Sequence, residues 1–236
     1  MMVVTAALLG AGNRMDKKKI INEIRVFALM LLVVTSMRSA LADWNDVPTG
    51  SMKPTIQEGD RVVVNKLAYD LKIPFTTYEV AKWSDPHRSD IVVLFSPFDG
   101  VRLVKRVIAI PGDRVELIEN ELFINGKKQP RSDALDALDM PNQGRVYVFD
   151  ETLDGHLHKV MISPQMPNQY KSYGPLTVPA GRYFVMGDNR DNSNDSRYIG
   201  LIPRRQIVGQ ALAVAFSLDR TRYYAPRTDR FFKSLQ

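Results

Sequence analysis

Between Val101 and Ile110 the sequence reads VRLVKRVIAI, and the side chains of a strand alternate between two faces. Val101, Leu103, Lys105, Val107 and Ala109 share one face, on which Lys105 is the only charge. Arg102 and Arg106 go together to the other, with Val104, Ile108 and Ile110. Burial disfavours an ammonium ion and lowers a lysine pKa. An unperturbed lysine is only about 0.04% neutral at pH 7, whereas a pKa of roughly 7–8 raises that fraction by two to three orders of magnitude. Such an amine is a usable general base. A lysine whose stem packs while its head reaches water gives the same pattern, so this strand alone leaves both readings open.

A candidate nucleophile lies upstream in Val47-Pro48-Thr49-Gly50-Ser51-Met52-Lys53-Pro54-Thr55. Gly50 lets the backbone turn tightly beside Ser51, as a nucleophile needs if an oxyanion is to sit near main-chain N–H groups. Thr49 adds a second hydroxyl two residues earlier. An ordinary polar turn has the same composition. A third segment, Gly187 to Arg197 (GDNRDNSNDSR), directly follows an apolar run ending at Met186. Its polar groups must find internal partners or stay solvated. As a calcium loop it lacks the glycine and terminal glutamate of the EF-hand spacing. His156 and His158 form a pair of the kind that is usually solvated in a loop, so no metal and no cofactor is expected.

The elements that must position these residues are short. Strand-like runs occur at Arg61–Lys66, Asp90–Phe95, Val101–Ile110, Arg114–Glu119, Glu121–Ile124, Arg145–Phe149, Arg182–Met186 and Ile207–Phe216. Turn signals separate them, among them Glu58-Gly59-Asp60, Pro111-Gly112-Asp113, Asn125-Gly126 and Pro179-Ala180-Gly181. No long amphipathic helix follows residue 45, so a mainly β, antiparallel body is expected. The stretch from Gln129 to Gly174 is polar and loop-like and reads as part of an insertion.

The amino-terminal part differs. Val26 to Met37 is the most apolar stretch and follows Lys17-Lys18-Lys19. Extending it from Ile20 to Leu41 gives a helix of roughly 33 Å at ~1.5 Å per residue, matched to a bilayer core of about 30 Å. Glu23, Arg25 and Arg38 then fall near its ends, where long cationic side chains reach the headgroups. The lysine cluster favours the cytoplasmic side and places the body outside. A cleavable signal peptide is the rival reading, since Ala40-Leu41-Ala42 fits a small-x-small cleavage site. The net charge of +6 comes from dispersed basic residues, which suits an anionic membrane surface better than nucleic acid. With no cysteine in the chain, disulfides and thiolate chemistry are excluded.

Taken together, these segments resemble the bacterial type I signal peptidase family. The matching pieces are Pro48–Thr55, Gly59-Asp60, Asp90–Val93, Val104–Val107 through Pro111-Gly112-Asp113, Gly187–Ser193 and Asp195-Ser196-Arg197, in the family's order. The resemblance implies that Ser51 is the nucleophile and Lys105 its general base. It implies that Thr49 joins the Ser51 N–H in the oxyanion hole, where the family usually has serine, and that Ser193 orients the lysine. Arg106, Asp188, Arg190, Asp195 and Arg197 match supporting positions, and Val47, Pro48, Met52 and Val104 match or adjoin substrate-pocket positions. The implied substrates are exported preproteins with small residues first and third before the cut. The implied setting is the bacterial cytoplasmic membrane, with membrane lipid as a further partner, the amino terminus inside and the catalytic body outside.

The fold implied is two antiparallel β-sheet regions behind a single transmembrane helix. Its divisions are a cytoplasmic extension (1–19), an anchor (20–41), a catalytic β domain (42–118 and 179–217), an inserted second β region (119–178) and a basic aromatic tail (218–236). The linker Ala42–Val47 departs from the family in being acidic, and Leu71-Lys72-Ile73-Pro74-Phe75 is a candidate apolar surface for the membrane. Two other readings fit the same pieces: a conjugation-system maturation protease with the same dyad, and a catalytically inactive membrane-anchored binding module.

Overall fold

The computed structural model describes residues 17–40, 42–73, 76–167, 169 and 171–235. The expected strands form, and antiparallel pairing dominates. The main sheet orders its strands as Ala42–Asp46, Asp60–Asn65, Ile207–Asp219, Ile91–Phe95, Arg102–Ala109, Arg182–Met186 and Ile202–Pro203, with Ala225–Pro226 attached to Ile207–Asp219. Further sheets have four strands (Tyr173–Thr177, Arg114–Ile118, Glu121–Ile124, Lys127–Lys128), three (Asp136–Met140, Gly144–Leu153, His156–Ile162) and two (Asp70–Lys72, Glu79–Lys82).

Strand Ile207–Asp219 is long enough to serve two neighbours, Ile91–Phe95 near its start and Asp60–Asn65 along the rest. Register shifts at Ala211/Ala213 and Val214/Phe216 let it curl between them. Buried Val62, Val64, Val92, Leu94, Val107 and Val185 fill the faces of this sheet. The burial of such side chains, worth roughly 1.5–3 kcal/mol each, holds the sheet together.

The stretch read as polar and loop-like, Gln129–Gly174, in which Arg145–Phe149 alone was read as a strand from the residues, contains the three-stranded sheet. Val146, Val148 and Met161 make a small core of their own beneath it. The alternation in His156–Ile162 is obscured because His158 stands on the buried face with Val160 and Ile162, whereas Leu157 is exposed on the other with Lys159.

The amino-terminal helix runs from Lys17 to Ala40. Ile24, Phe27, Leu29, Met30 and Leu32 on it are all exposed. Among the described residues, however, no helix is long and apolar enough to cross a membrane, so the expected transmembrane span finds no support there. Lys17–Lys19, Glu23, Arg25 and Arg38 leave an uncharged run only from Val26 to Met37, about 18 Å of helix against a core of about 30 Å. Most of the expected cytoplasmic extension, Leu41 of the anchor, and Pro74 and Phe75 of the candidate apolar surface lie outside the described residues.

The basic tail packs on the body. Arg230 forks onto buried Asp60 at 3.1 and 2.6 Å. Leu235 is buried in the core beneath the nucleophile turn. Tyr223, Tyr224 and Phe232 remain exposed.

Candidate active site

Ser51 begins a compact turn between Asp46 and Asp60. Lys53 N donates to Gly50 O at 3.1 Å and Ile56 N to Met52 O at 2.9 Å. Met52 and Ile56 plug into a core with Val47, Val62, Ile91 and Val214, and Val104 packs against the same group. Driving two large apolar side chains downward leaves the intervening polar residues facing up, with Ser51 only half-buried. Of the four residues expected to line a substrate pocket, Val47 and Met52 are therefore core residues. Val104 is half-buried, and Pro48 is exposed, as is Thr49.

The polar run after Met186 holds the turn from a second side. Asn189 N donates to Ser51 O at 3.0 Å, and Asn189 Nδ2 to Gly50 O at 3.1 Å. Gly187 is required between them: a Cβ there would lie 2.3 Å from both Ser51 O and Ser193 Oγ. Ser193 Oγ is buried against this spot, beside Asp195, whose negative charge it helps to hold.

Lys105 sits opposite Val92 in the centre of the main sheet and is 2% exposed. Its Nζ lies 2.7 Å from Ser51 Oγ and 3.1 Å from Val104 O. The alternative of a packed stem with its head in water is thereby corrected: the head itself is buried. Desolvation lowers the pKa of this amine, Asp195 and Asp188 partly restore it, Arg197 lowers it again, and the balance is about 8. The amine is then about one-tenth neutral at pH 7. A neutral amine at the same distance accepts the Ser51 proton.

Two nearby carboxylates do not capture the lysine because arginines already hold them. Arg106 forks onto Asp188, with both bonds at 2.8 Å, and Thr55 Oγ1 donates to Asp188 at 2.6 Å. Arg197 forks onto Asp195, again at 2.8 Å twice, and Gly187 N donates to Asp195 at 3.1 Å. Burial opposes both charges, but the arginines outweigh it and keep both carboxyls below the usual range. Arg102 and Arg106 share a strand face as expected, but Arg102 is exposed and Arg106 buried.

Arg190 pairs with Glu151, 39 residues away, Nη1 bonding Oε1 at 2.9 Å and Nη2 closing on Oε2. Burial opposes the Glu151 charge, but Arg190 and His158 overcome it and hold the carboxyl at about 2. This pair joins the polar run to the strand Gly144–Leu153, and the exchange of main-chain bonds between Met161 and Asp188–Arg190 joins it to the strand His156–Ile162.

Asn189, Thr55 and Gly187 had been quoted without a role, and Glu151 was missed altogether. A buried acid in a half-exposed strand leaves no local signal in sequence. None of the three histidines bonds Ser51: His87 and His156 are exposed, and His158 is buried against Glu151 at 3.4 Å. Among the described residues, no group of three or more acidic or histidine side chains is placed to hold a metal ion.

A serine hydroxyl against a buried, partly neutral amine is an arrangement suited to nucleophilic chemistry. The model of the family described as signal peptidase, peptidase S26, matches residues 20–216, and the chain belongs to that family. Signal peptidase I of Pseudomonas fluorescens is 36% identical over 220 residues, covering 87% of this chain and 76% of its own. Signal peptidase I of Rickettsia typhi is 32% identical over 234 residues, covering 90% and 86%. A solved signal peptidase I from Enterococcus faecalis V583 is 32% identical, covering 54% of this chain and 97% of its own, with a TM-score of 0.35.

Proposed function

We infer that this protein is a signal peptidase I, an endopeptidase that removes amino-terminal signal peptides from exported preproteins through an acyl-enzyme on Ser51. The observation that carries the reading is the 2.7 Å contact between Ser51 Oγ and the buried Lys105 Nζ. Family membership and the named relatives support the substrate class. In the first step, neutral Lys105 takes the Ser51 proton as Oγ attacks the carbonyl carbon before the cut. The oxyanion is met by the Ser51 N–H and by Thr49, whose exposed position beside the turn leaves its hydroxyl available. The protonated lysine then gives its proton to the leaving amine. Water, deprotonated by the same amine, hydrolyses the ester.

Ser193 is assigned to holding the lysine amine as it changes charge, since its hydroxyl is buried beside the Ser51 main chain and next to Asp195, which also acts on the lysine. Arg106, Asp188, Arg190, Asp195 and Arg197 keep the site rigid and keep carboxylates off the lysine. The body is placed at the outer face of the bacterial cytoplasmic membrane, held there by the exposed apolar residues of the amino-terminal helix. The test is processing of a preprotein with small residues first and third before the cut, by purified wild-type, Ser51→Ala and Lys105→Ala proteins. Wild type should cleave and both variants should fall to background. Wild-type rates from either variant would sink the mechanism.

A further inference from the structure

A cleft of about 660 Å³ opens where Thr55 and Arg106, both bonded to Asp188, meet the main chain of Gly155–Lys159. Its lining also includes Ser89–Ile91, Gln210 and Lys233–Leu235. The strand His156–Ile162 pairs with Gly144–Leu153 on one side only. Its other edge is occupied at Met161 alone, where Met161 N donates to Asp188 O at 2.8 Å and Arg190 N to Met161 O at 2.9 Å. Main-chain groups of a strand alternate in direction. Leu157 and Lys159, of the same parity as Met161, therefore also turn N–H and C=O outward, and no main-chain partner among the described residues meets them. Such an edge is a template for an added strand.

The side chains lining the cleft are incomplete at one point. His158 lines the cleft but is 8% exposed and turned to Glu151, with Nε2 3.4 Å from Oε2. Lys233 is exposed and has no ion pair among the described residues. The one carboxylate in the lining, Asp90, is already saturated by Gln210 Nε2 at 2.8 Å, Tyr69 Oη at 2.7 Å and His87 N at 2.9 Å. An exposed ammonium without an ion pair beside an open edge suits an extended peptide carrying acidic side chains.

We propose that this cleft binds the substrate polypeptide beyond the cut, as an extended strand added to the edge of His156–Ile162, with acidic side chains directed to Lys233. The proposal rests on the reading of the protein as a preprotein peptidase. The run Asp188–Arg190, which fills the edge at Met161, is the run that holds the Ser51 main chain. A strand continuing that edge therefore starts beside the support of the nucleophile, where the site itself brings a polypeptide. The polar, cationic wall suits the mature segment rather than the apolar core of a signal peptide.

Leu157→Pro removes one outward N–H and leaves the bonds to Gly144–Leu153 intact, since an edge position tolerates proline. Lys233→Glu reverses a charge without touching the main chain. The readout is the ratio of kcat/KM for a preprotein with an acidic early mature segment to that for a peptide ending two residues after the cut. Both variants should lower this ratio roughly fivefold to tenfold through KM, and Lys233→Glu should favour a lysine-bearing segment over the acidic one. An unchanged ratio in both variants overturns the proposal, as does an effect seen only in vesicles of anionic lipid, or a wild-type dimer that Leu157→Pro dissociates. If Leu157→Pro fails to fold, Lys233→Glu decides. If wild type leaves the short peptide uncut, the peptidase reading fails rather than the groove.

Discussion

Replacing Lys105 by methionine keeps the length and packing of the stem and deletes the amine. The lysine pKa falls from 10.5 to about 8 on folding, a difference of about 2.5 units, or about 3 kcal/mol at 1.36 kcal/mol per unit. The sign follows from proton counting. Below pH 8 both folded and unfolded chains carry the proton, and the full penalty of a buried ammonium weighs on the folded state. Between pH 8 and 10.5 only the unfolded chain binds it, so wild-type stability rises by up to about 1.4 kcal/mol per pH unit. Methionine has nothing to titrate, but it loses the Ser51 contact, worth about 1 kcal/mol. The Lys105→Met variant should thus be more stable than wild type by about 2 kcal/mol at pH 7 and less stable by about 1 kcal/mol near pH 10.5, while preprotein cleavage falls to background. Guanidinium unfolding in detergent at pH 7, 8, 9 and 10 reads both curves. A variant uniformly less stable than wild type across this range refutes the buried ammonium.

Four further outcomes follow from the same geometry. Gly187→Ala forces a methyl between Ser51 O and Ser193 Oγ, so it should cost about 1–3 kcal/mol of stability and most of kcat, read by thermal unfolding and turnover. Arg106→Met leaves Asp188 buried and unpaired, a loss of about 3–5 kcal/mol. It also exposes Lys105 to the full Asp188 charge, so the alkaline rise of the pH–rate profile should move upward. Glu151, held at about 2 against an ordinary 4.5, stabilises the fold above pH 4.5 and loses that contribution as pH falls through 2. Glu151→Gln should therefore be weaker at pH 7 but flatter between pH 4.5 and 2 in acid titrations of stability. Ser193→Ala should lower kcat about tenfold with KM unchanged and normal circular dichroism, and an unaltered kcat would remove Ser193 from the mechanism.

The central strands were legible because β-branched runs such as Ile91-Val92-Val93 are apolar on both faces and bounded by turns. Lys105 was legible for the same reason, as a charge breaking an otherwise apolar row. What periodicity could not reveal was the distance between Ser51 and Lys105, 54 residues apart in sequence and 2.7 Å apart in space. That juxtaposition depends on the pairing of Val92 with Lys105 and on the plug formed by Met52 and Ile56. The three-stranded sheet was obscured because His158 stands on its buried face and Leu157 on its exposed one, while aspartates dilute the alternation at Asp136–Met140. The packing of the basic aromatic tail was not legible, because the attraction of Arg230 for Asp60 is a tertiary fact with no local trace. At the amino terminus, the apolar composition of Val26–Met37 was plain, but the interrupting charges outweighed it as a span.

The most direct probe of the catalytic account is the ¹⁵Nζ resonance of Lys105 in lysine-labelled protein, assigned by its absence from Lys105→Met and followed from pH 6 to 11. The structure calls for a midpoint near 8, matched by the rise of kcat/KM on a short peptide. An amine that keeps its proton beyond pH 10 while cleavage proceeds at pH 8 would contradict it.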